Sequence, residues 1–251
     1  MISCEHISCR YGKKEVLVDV SFALEQGEFL CIIGANGSGK TTLLHALMGL
    51  EKSSGQISVG GKSFSLLSHK ERARHLALLA QHSHIEFPYT IYDTVALGRY
   101  CHKKNPFSPI TQEEEALIAR CIQEVGLWEE KDRLISSLSG GQLQRVYLAR
   151  TFAQNPSVIL LDEPTNHLDL KVQLELFHRL KEWVSLEKRG VIGVFHDLNV
   201  VRQFAQKVLL LHEGKVLAFG SVEEVMCEEL LSLAFGLNVK EYMVNSFEKW
   251  V

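Results

Sequence analysis

A glycine-rich segment early in the chain has the residue types that bind phosphate. It lies between an apolar run at 29–33 and a helical pattern at 43–49, and its residues are Gly34, Ala35, Asn36, Gly37, Ser38, Gly39, Lys40, Thr41 and Thr42. In such a loop the backbone N–H groups converge on phosphate oxygens, and the start of the following helix adds partial positive charge. The Lys40 ammonium is expected to reach the β- and γ-phosphates, and the Thr41 hydroxyl to ligate Mg²⁺. The segment therefore predicts a nucleotide-binding site.

Two carboxylates follow the apolar run 158–161, where a buried strand is expected to end. Asp162 is expected to hold Mg²⁺, usually through water. Glu163 would orient and polarise an attacking water, which is the general-base role in phosphoryl transfer. A carboxylate pair after a strand is weak evidence by itself, but the glycine-rich loop upstream makes nucleotide hydrolysis the predicted chemistry.

A third motif, Leu138 followed by Ser139, Gly140, Gly141 and Gln142, stands before a helical pattern. Ser139 is a suitable N-cap, and the two glycines leave the backbone open to an approaching phosphate. Taken alone, the motif could also be a simple turn before a helix.

Short apolar runs alternate with helical patterns along the chain, which is typical of a mostly parallel sheet covered by helices. The predicted central strands are 29–33, 158–161, 191–195 and 208–211. The first 30 or so residues predict antiparallel strands at one edge, and 54–61 a hairpin. A helix with acidic residues in its first turn is expected to start near Thr111 and to bury one face, inside a helical subdomain inserted at about 88–154.

Composition places the chain among ordinary globular proteins. Its 251 residues are 46% hydrophobic and 23% charged, and the net charge is −3. No apolar run approaches the roughly 18 to 20 residues of a membrane-spanning helix, and the first residues lack the features of a secretory signal. We therefore expect a cytoplasmic protein. Without a dense block of Lys and Arg, a nucleic-acid partner is not expected.

The six cysteines form no C-x-x-C pair, so reduced structural thiols are favoured over a disulfide or metal framework. Histidines do not indicate a zinc site either. His82 and His84 are one residue apart and Cys101 is next to His102, but neither pair has a third group at ligand spacing.

The three motifs in this order resemble the ATP-binding-cassette family over nearly the whole chain. The resemblance implies an ATPase that works as a pair, in which the Ser139–Gln142 segment contacts ATP held by a second copy. It also implies a P-loop NTPase fold of class α/β, with a mostly parallel sheet, an antiparallel β edge and the inserted helical subdomain. The RecA-like core would cover about 1–87 and 155–237, the helical subdomain about 88–154, and a short C-terminal tail 238–251.

Further site residues follow from the resemblance alone. Tyr11 matches the aromatic residue that stacks on adenine, although a plain core or surface aromatic is an alternative. Gln81 matches the glutamine that joins the two subdomains and senses Mg²⁺ and water. Asp169 belongs to a loop, starting at Asn166, that crosses to the partner copy, and it would also cap the next helix. His196 matches the histidine that contacts the γ-phosphate.

Within the family, the chain is most similar to ATPase subunits that power import of iron-siderophores, haem or vitamin B12. The similarity lies in 95–100, 165–169 and 195–199. After the third motif, Leu143 stands where the family usually has a polar or charged residue. The short tail does not indicate a C-terminal regulatory domain.

The resemblance also implies partners. An integral membrane permease would dock near Gln81 and 82–100, which would hold the ATPase on the inner face of the cell membrane. An extracytoplasmic substrate-binding protein would act through the permease. The segment is apolar at Phe87, Pro88, Tyr89 and Ile91, which burial against the chain's own helices explains equally well.

Two other kinds of protein share some of these motifs. Cassette ATPases of DNA repair carry a long coiled coil between the glycine loop and the third motif, and those of translation usually carry two cassettes, whereas this chain has neither. A lone P-loop kinase or GTPase is disfavoured by the third motif, by His196 and by the lack of an Asn-Lys-x-Asp segment. Transport is the favoured function.

Overall fold

The computed structural model describes residues 1–79, 88–105, 108–165, 169–185 and 189–248. It divides into two compact units. The first unit consists of Met1–Ser65 and Gly190–Val251, and the second of Leu66–Arg189. These bounds differ from those of the predicted core and helical subdomain, and that division stays a prediction.

The secondary structure alternates strands and helices along the described chain. The strands are β1 (Ile2–Tyr11), β2 (Lys14–Leu24), β3 (Phe29–Ile33), β4 (Ser53–Val59), β5 (Lys62–Ser63), β6 (Leu76–Leu79), β7 (Val158–Asp162), β8 (Gly190–Val194), β9 (Lys207–His212) and β10 (Lys215–Ser221). The α-helices are α1 (Lys40–Met48), α2 (His69–His75), α3 (Ile91–Ala96), α4 (Gln112–Glu124), α5 (Gly140–Gln154), α6 (Leu170–Ser185), α7 (Leu198–Phe204), α8 (Val222–Val225), α9 (Glu228–Phe235) and α10 (Val239–Glu248). Short 3₁₀ turns cover Phe64–Leu66, Leu97–His102, Trp128–Glu130 and Ile135–Ser137.

The first unit contains two sheets. In one, β3 lies between β8 and β9, parallel to both, and β10 pairs antiparallel with β9. Every residue of β3 and β8 is buried, as expected for parallel strands covered on both faces. In the other sheet β1 pairs antiparallel with β2 and β4, and β4 with β5. The predicted strands, the antiparallel pairing of the first 30 residues and the hairpin of this unit are confirmed. The antiparallel strands β1 and β2, however, form a separate sheet with β4 and β5, and the antiparallel edge strand beside β9 is β10.

The second unit contains the parallel pair β6 and β7 with helices α2 to α6. Helix α4 starts where the sequence predicts, with a capping box between Thr111 and Glu114. Its buried residues Ile118, Cys121 and Ile122 form the predicted apolar face. Ile91, at the start of α3, is fully buried, so for this residue the burial alternative is correct.

Five of the six cysteines are buried, all six are free, and Cys227 is partly exposed. Cys31 lies in the middle of β3, where burial raises the pKa of its thiol well above the usual value. In the described residues, the helices are all too short or too polar to cross a lipid bilayer.

Candidate functional site

The glycine-rich loop connects β3 to α1 in the first unit. At two of its positions, the backbone angle and the close neighbours leave no room for a side chain. Gly34 has φ 145°, and a Cβ there would lie 2.2 Å from the Leu211 carbonyl oxygen. Gly39 has φ 102°, and a Cβ there would lie 2.6 Å from Leu17 Cδ2. Both values fall in the region that side chains disfavour. The loop can therefore curl tightly only because glycine occupies these positions.

Two polar side chains of this loop, Ser38 and Lys40, are buried, whereas Asn36 and Thr41 are exposed. Lys40 is 6% exposed, and its Nζ donates to the carbonyl oxygens of Gly34 at 2.9 Å and Ala35 at 3.0 Å. Ser38 is 4% exposed, and its Oγ has no hydrogen-bond partner among the described residues. Buried hydroxyls are normally paired, so a phosphate oxygen would satisfy Ser38. The loop fits the phosphates of ATP.

Helix α1 begins at Lys40, three residues before the predicted helical pattern, so Thr41 and Thr42 lie in its first turn. Gly39 is the N-cap and offers no side-chain acceptor to the N–H groups of that turn. Backbone hydrogen bonds to distant residues also stabilise the loop. Gly214 N–H donates to the Ser38 carbonyl at 3.2 Å, and Val18 N–H donates to the Gly214 carbonyl at 2.8 Å. Nothing in the local spacing of the sequence indicates Gly214.

Tyr11 ends β1 and lies beside α1. Tyr11 is 47% exposed, so it is not a core aromatic. Hydrogen bonds link its side chain to Glu51 and Thr42, and the bond to Glu51 is the main reason why the pKa of Tyr11 is raised. The exposed ring is therefore held next to the loop's own helix, and adenine stacking stays a prediction. Sequence reasoning missed Glu51, for which no motif exists.

His196 lies at the sheet edge where the loop begins. It follows β8, which is parallel to β3, and Phe195 N–H donates to the Ile32 carbonyl at 3.3 Å. The carboxyl ends of neighbouring parallel strands form the edge at which ligands bind in α/β folds. His196 is exposed, and its neighbour Asp197 caps α7 by accepting from Asn199 N–H at 2.8 Å. The contact with the γ-phosphate stays a prediction.

In the second unit, Asp162 is the last residue of β7 and Glu163 begins the turn after it. Glu163 has φ 48°, a left-handed backbone that is uncommon for a residue with a side chain. Such conformations persist where the surrounding structure imposes them, often at functional sites. The next residue, Pro164, is buried. Gln81 lies outside the described residues, as do Asn166, His167 and Leu168.

The third motif forms the start of the 15-residue helix α5. Ser139 Oγ accepts from Gln142 N–H at 3.3 Å, and Gln142 Oε1 accepts from Ser139 N–H at 3.1 Å, which confirms the predicted N-cap. Ser139 and Gly140 are exposed, and a Cβ added to Gly140 would meet nothing within 4 Å. This helix start is thus open to an approaching molecule.

Asp169 caps α6, as predicted: its Oδ1 accepts from Val172 N–H at 2.9 Å. The structure thus groups Tyr11, the glycine-rich loop and His196 in the first unit. It groups Asp162, Glu163, the third motif and Asp169 in the second.

The expected metal ligands are divided in the same way, with Thr41 in the first unit and Asp162 in the second. Within the described ranges, the structure contains no group of three or more His, Cys, Asp and Glu side chains that could hold a metal ion. Mg²⁺ is commonly held by one or two protein groups and completed by phosphates and water. The Mg²⁺ roles of Thr41, Asp162 and Gln81 stay predictions.

Comparison with known proteins decides the family. The family model described as ABC transporter matches residues 17–166. The chain belongs to the ABC transporter family. The family resemblance and the α/β fold class predicted from the sequence are confirmed, and this ABC protein is an ATPase that binds ATP.

Relatives of this ABC ATPase include import proteins. The hemin import ATP-binding protein HmuV of Rhodopseudomonas palustris is 36% identical, over 96% of this chain and 92% of its own length. The ferric enterobactin transport ATP-binding protein FepC of Escherichia coli is 35% identical, over 93% of this chain and 86% of its own length. An uncharacterized ABC transporter ATP-binding protein of Bacillus subtilis, YvrA, is 34% identical; the match covers 99% of this chain but 56% of that relative.

Solved structures share the fold. A chain of an inward-facing ABC transporter assigned to the metal-chelate type has a TM-score of 0.82 and 29% identity, over 94% of this ABC ATPase and 89% of that chain. An ATP-binding cassette was solved as a dimer in a post-hydrolysis state, with ADP and Pi. It has a TM-score of 0.77 and 27% identity, over 88% of this ABC ATPase and 99% of that chain.

Proposed function

We propose that this ABC ATPase powers the import of a metal chelate, such as a ferric siderophore or hemin, or of cobalamin, through a membrane permease. The support is the similarity to proteins named for hemin and ferric enterobactin import, each aligned over most of its length. A transporter of metal-chelate type has a chain of the same fold.

The observation that carries the proposal is that one chain has two different features suited to binding phosphate, the glycine-rich loop and the start of α5. The glycine-rich loop lies within one unit, where Lys40 Nζ donates to the Gly34 carbonyl and the buried Ser38 Oγ has no hydrogen-bond partner among the described residues. The start of α5 is exposed and open at Gly140. We infer that the loop binds this chain's ATP and that 139–142 contacts ATP held by a second copy, in a head-to-tail dimer.

The remaining roles follow the family pattern. Tyr11 stacks on adenine, and Thr41, Asp162 and Gln81 hold Mg²⁺, directly or through water. Glu163 orients the attacking water as general base. His196 contacts the γ-phosphate, and Asp169 anchors the loop that crosses to the partner copy.

Docking of the permease near 88–100 is the second part of the proposal, and it would place the ATPase at the inner face of the cell membrane. Leu97 is 41% exposed and Tyr100 is 51% exposed, whereas Ile91 is fully buried. Leu97 and Tyr100 are therefore large apolar side chains available to a permease, and Pro88 is exposed as well. An extracytoplasmic substrate-binding protein would deliver the cargo to that permease.

The first test is Glu163→Gln, which keeps the size of the side chain and removes its charge. ATP affinity should be unchanged, turnover should fall by about 10² to 10⁴-fold, and the ATP-bound dimer should accumulate. Phosphate release, calorimetry and light scattering measure the three quantities. Hydrolysis near the wild-type rate would show that Glu163 is not the base. A chain that stayed monomeric with ATP and permease present would contradict the dimer.

The cargo is tested with the permease that co-purifies with the chain. In proteoliposomes containing both, ATP-dependent uptake of hemin, a ferric siderophore and cobalamin is compared. Uptake of one of the three, abolished by Glu163→Gln, is the expected result. Uptake of none of them, in vesicles that still hydrolyse ATP, would contradict the assigned substrate class.

A further inference from the structure

The start of α5 and the turn that carries Glu163 are directly connected in the second unit. Gln144, one helical turn after Gly140, donates from Nε2 to the Pro164 carbonyl oxygen at 3.3 Å. Residues four apart lie on the same face of a helix, so Gln144 and Gly140 share a face of α5. The hydrogen bond therefore joins the exposed helix start, residues 139–142, to the residue directly after Glu163.

Helix α6 makes a second connection between the same two segments. Gln173 donates from Nε2 to the Thr165 carbonyl oxygen at 3.1 Å. The preceding residue, Val172, approaches the third motif: its Cγ2 lies 3.4 Å from the position of a Cβ on Gly141. The carbonyls of 164 and 165 are thus held by side-chain amides from two helices, of which α5 begins with the third motif and α6 contacts it through Val172.

A small change in the backbone of the turn 163–165 would alter the position of Glu163. Glu163 has φ 48°, so its backbone depends on the surrounding structure for its conformation. Rotation of the peptide units at 163–165 would move the Glu163 carboxylate. A helix is stiff over one turn, so displacement of residues 139–142 would reach Pro164 through Gln144.

We propose that Gln144 is a positioning residue that couples residues 139–142 to Glu163 of the same chain. In the dimer, ATP held by the partner copy contacts 139–142 of this chain, and Gln144 then sets Glu163 for hydrolysis of this chain's own ATP. The coupling rests on the proposed function, because it needs two ATP molecules at a head-to-tail interface. It makes hydrolysis in one site depend on occupancy of the other.

The test compares Gln144→Met with Gln154→Met. Both changes remove a side-chain hydrogen bond from α5 to a backbone carbonyl, since Gln154 Nε2 donates to Ala73 at 2.6 Å and Leu76 at 2.9 Å. Gln144→Met should keep the ATP affinity of the chain and ATP-dependent dimerisation, and should lower kcat about 5- to 10-fold, within the usual range of coupling between sites. Gln154→Met should leave kcat unchanged. Gln144→Glu, which also lacks a donor, should match Gln144→Met.

Mixed dimers show which site depends on Gln144. In the first, one chain carries both Gln144→Met and Glu163→Gln and the other is wild type, so the working Glu163 has its own intact Gln144. In the second, one chain carries Gln144→Met and the other Glu163→Gln, so the working Glu163 has lost its Gln144. Single-turnover hydrolysis should be about 5- to 10-fold slower in the second dimer than in the first.

Two results would overturn the coupling: equal turnover of Gln144→Met and Gln154→Met, or slow hydrolysis in the first mixed dimer with a normal rate in the second. The latter would mean that Gln144 acts across the interface. Failure of the proposed function has a different signature, because Glu163→Gln chains with intact Gln144 would then not dimerise with ATP.

Discussion

The two helix starts of the candidate site, α1 and α5, are built in opposite ways. Helix α1 begins after Gly39, which has a left-handed backbone and no side chain to cap the helix, and its first residue, Lys40, is buried. Helix α5 begins after Ser139, which is exposed and forms a reciprocal capping box with Gln142.

The two helix starts differ in whether the chain itself supplies the hydrogen-bond partners of their polar groups. At α1 the side chain of Ser38 is buried without a described partner, so an anion would satisfy this start. At α5 the side chains of the motif itself satisfy two backbone N–H groups. This difference supports the proposal that the first binds the chain's own nucleotide and that the second contacts another molecule.

The largest effect on stability should come from a serine placed at the glycine of each helix start, Gly39 at α1 or Gly140 at α5. Gly39→Ser should lower the free energy of unfolding by about 3 kcal/mol, because a Cβ would clash with Leu17 and the backbone is left-handed. Gly140→Ser, where a Cβ meets nothing within 4 Å, should change it by less than about 0.5 kcal/mol. Urea denaturation measures both. Equal losses would contradict the proposed difference between the two helix starts.

The next effect concerns binding. Lys40→Ala should weaken ATP binding to the isolated chain by about 2 kcal/mol, or roughly 30-fold, since it removes a charged donor from the phosphates. The control is Lys14→Ala, which removes an exposed lysine from the same unit. Calorimetry with ATP checks both, and unchanged affinity in Lys40→Ala would place the phosphates elsewhere.

The smallest effect is expected at Ser139. Ser139→Ala should lower the free energy of unfolding by about 1 kcal/mol through loss of the N-cap, and Ser139→Gly by only a few tenths. ATP affinity of the isolated chain should not change, whereas turnover of the dimer should fall. Weaker ATP binding by isolated chains would show that Ser139 serves its own nucleotide.

Sequence reasoning succeeded where the secondary structure depends on local spacing. The strand before Gly34, the strand before Asp162 and the cap at Ser139 all follow from patterns within about ten residues, and all are confirmed. The start of α1 was predicted three residues late, because the apolar pattern begins at Leu43 while the helical backbone continues directly from the glycine loop at Lys40.

The missed features depend on residues far apart in the chain. The bond from Gly214 to Ser38 joins a turn near the end of the chain to the glycine-rich loop, and neither local sequence indicates the other. The bond from Gln144 to Pro164 is of the same kind. The left-handed backbone of Glu163 was also not predictable, since glutamate rarely adopts it.

The backbone of Glu163 has a consequence for directed evolution. Glycine, or even asparagine, adopts a φ of 48° at less cost than glutamate. A library screened only for heat resistance would therefore enrich replacements at this position and discard the carboxylate. Thermostable variants of this ATPase are best selected under a simultaneous demand for activity.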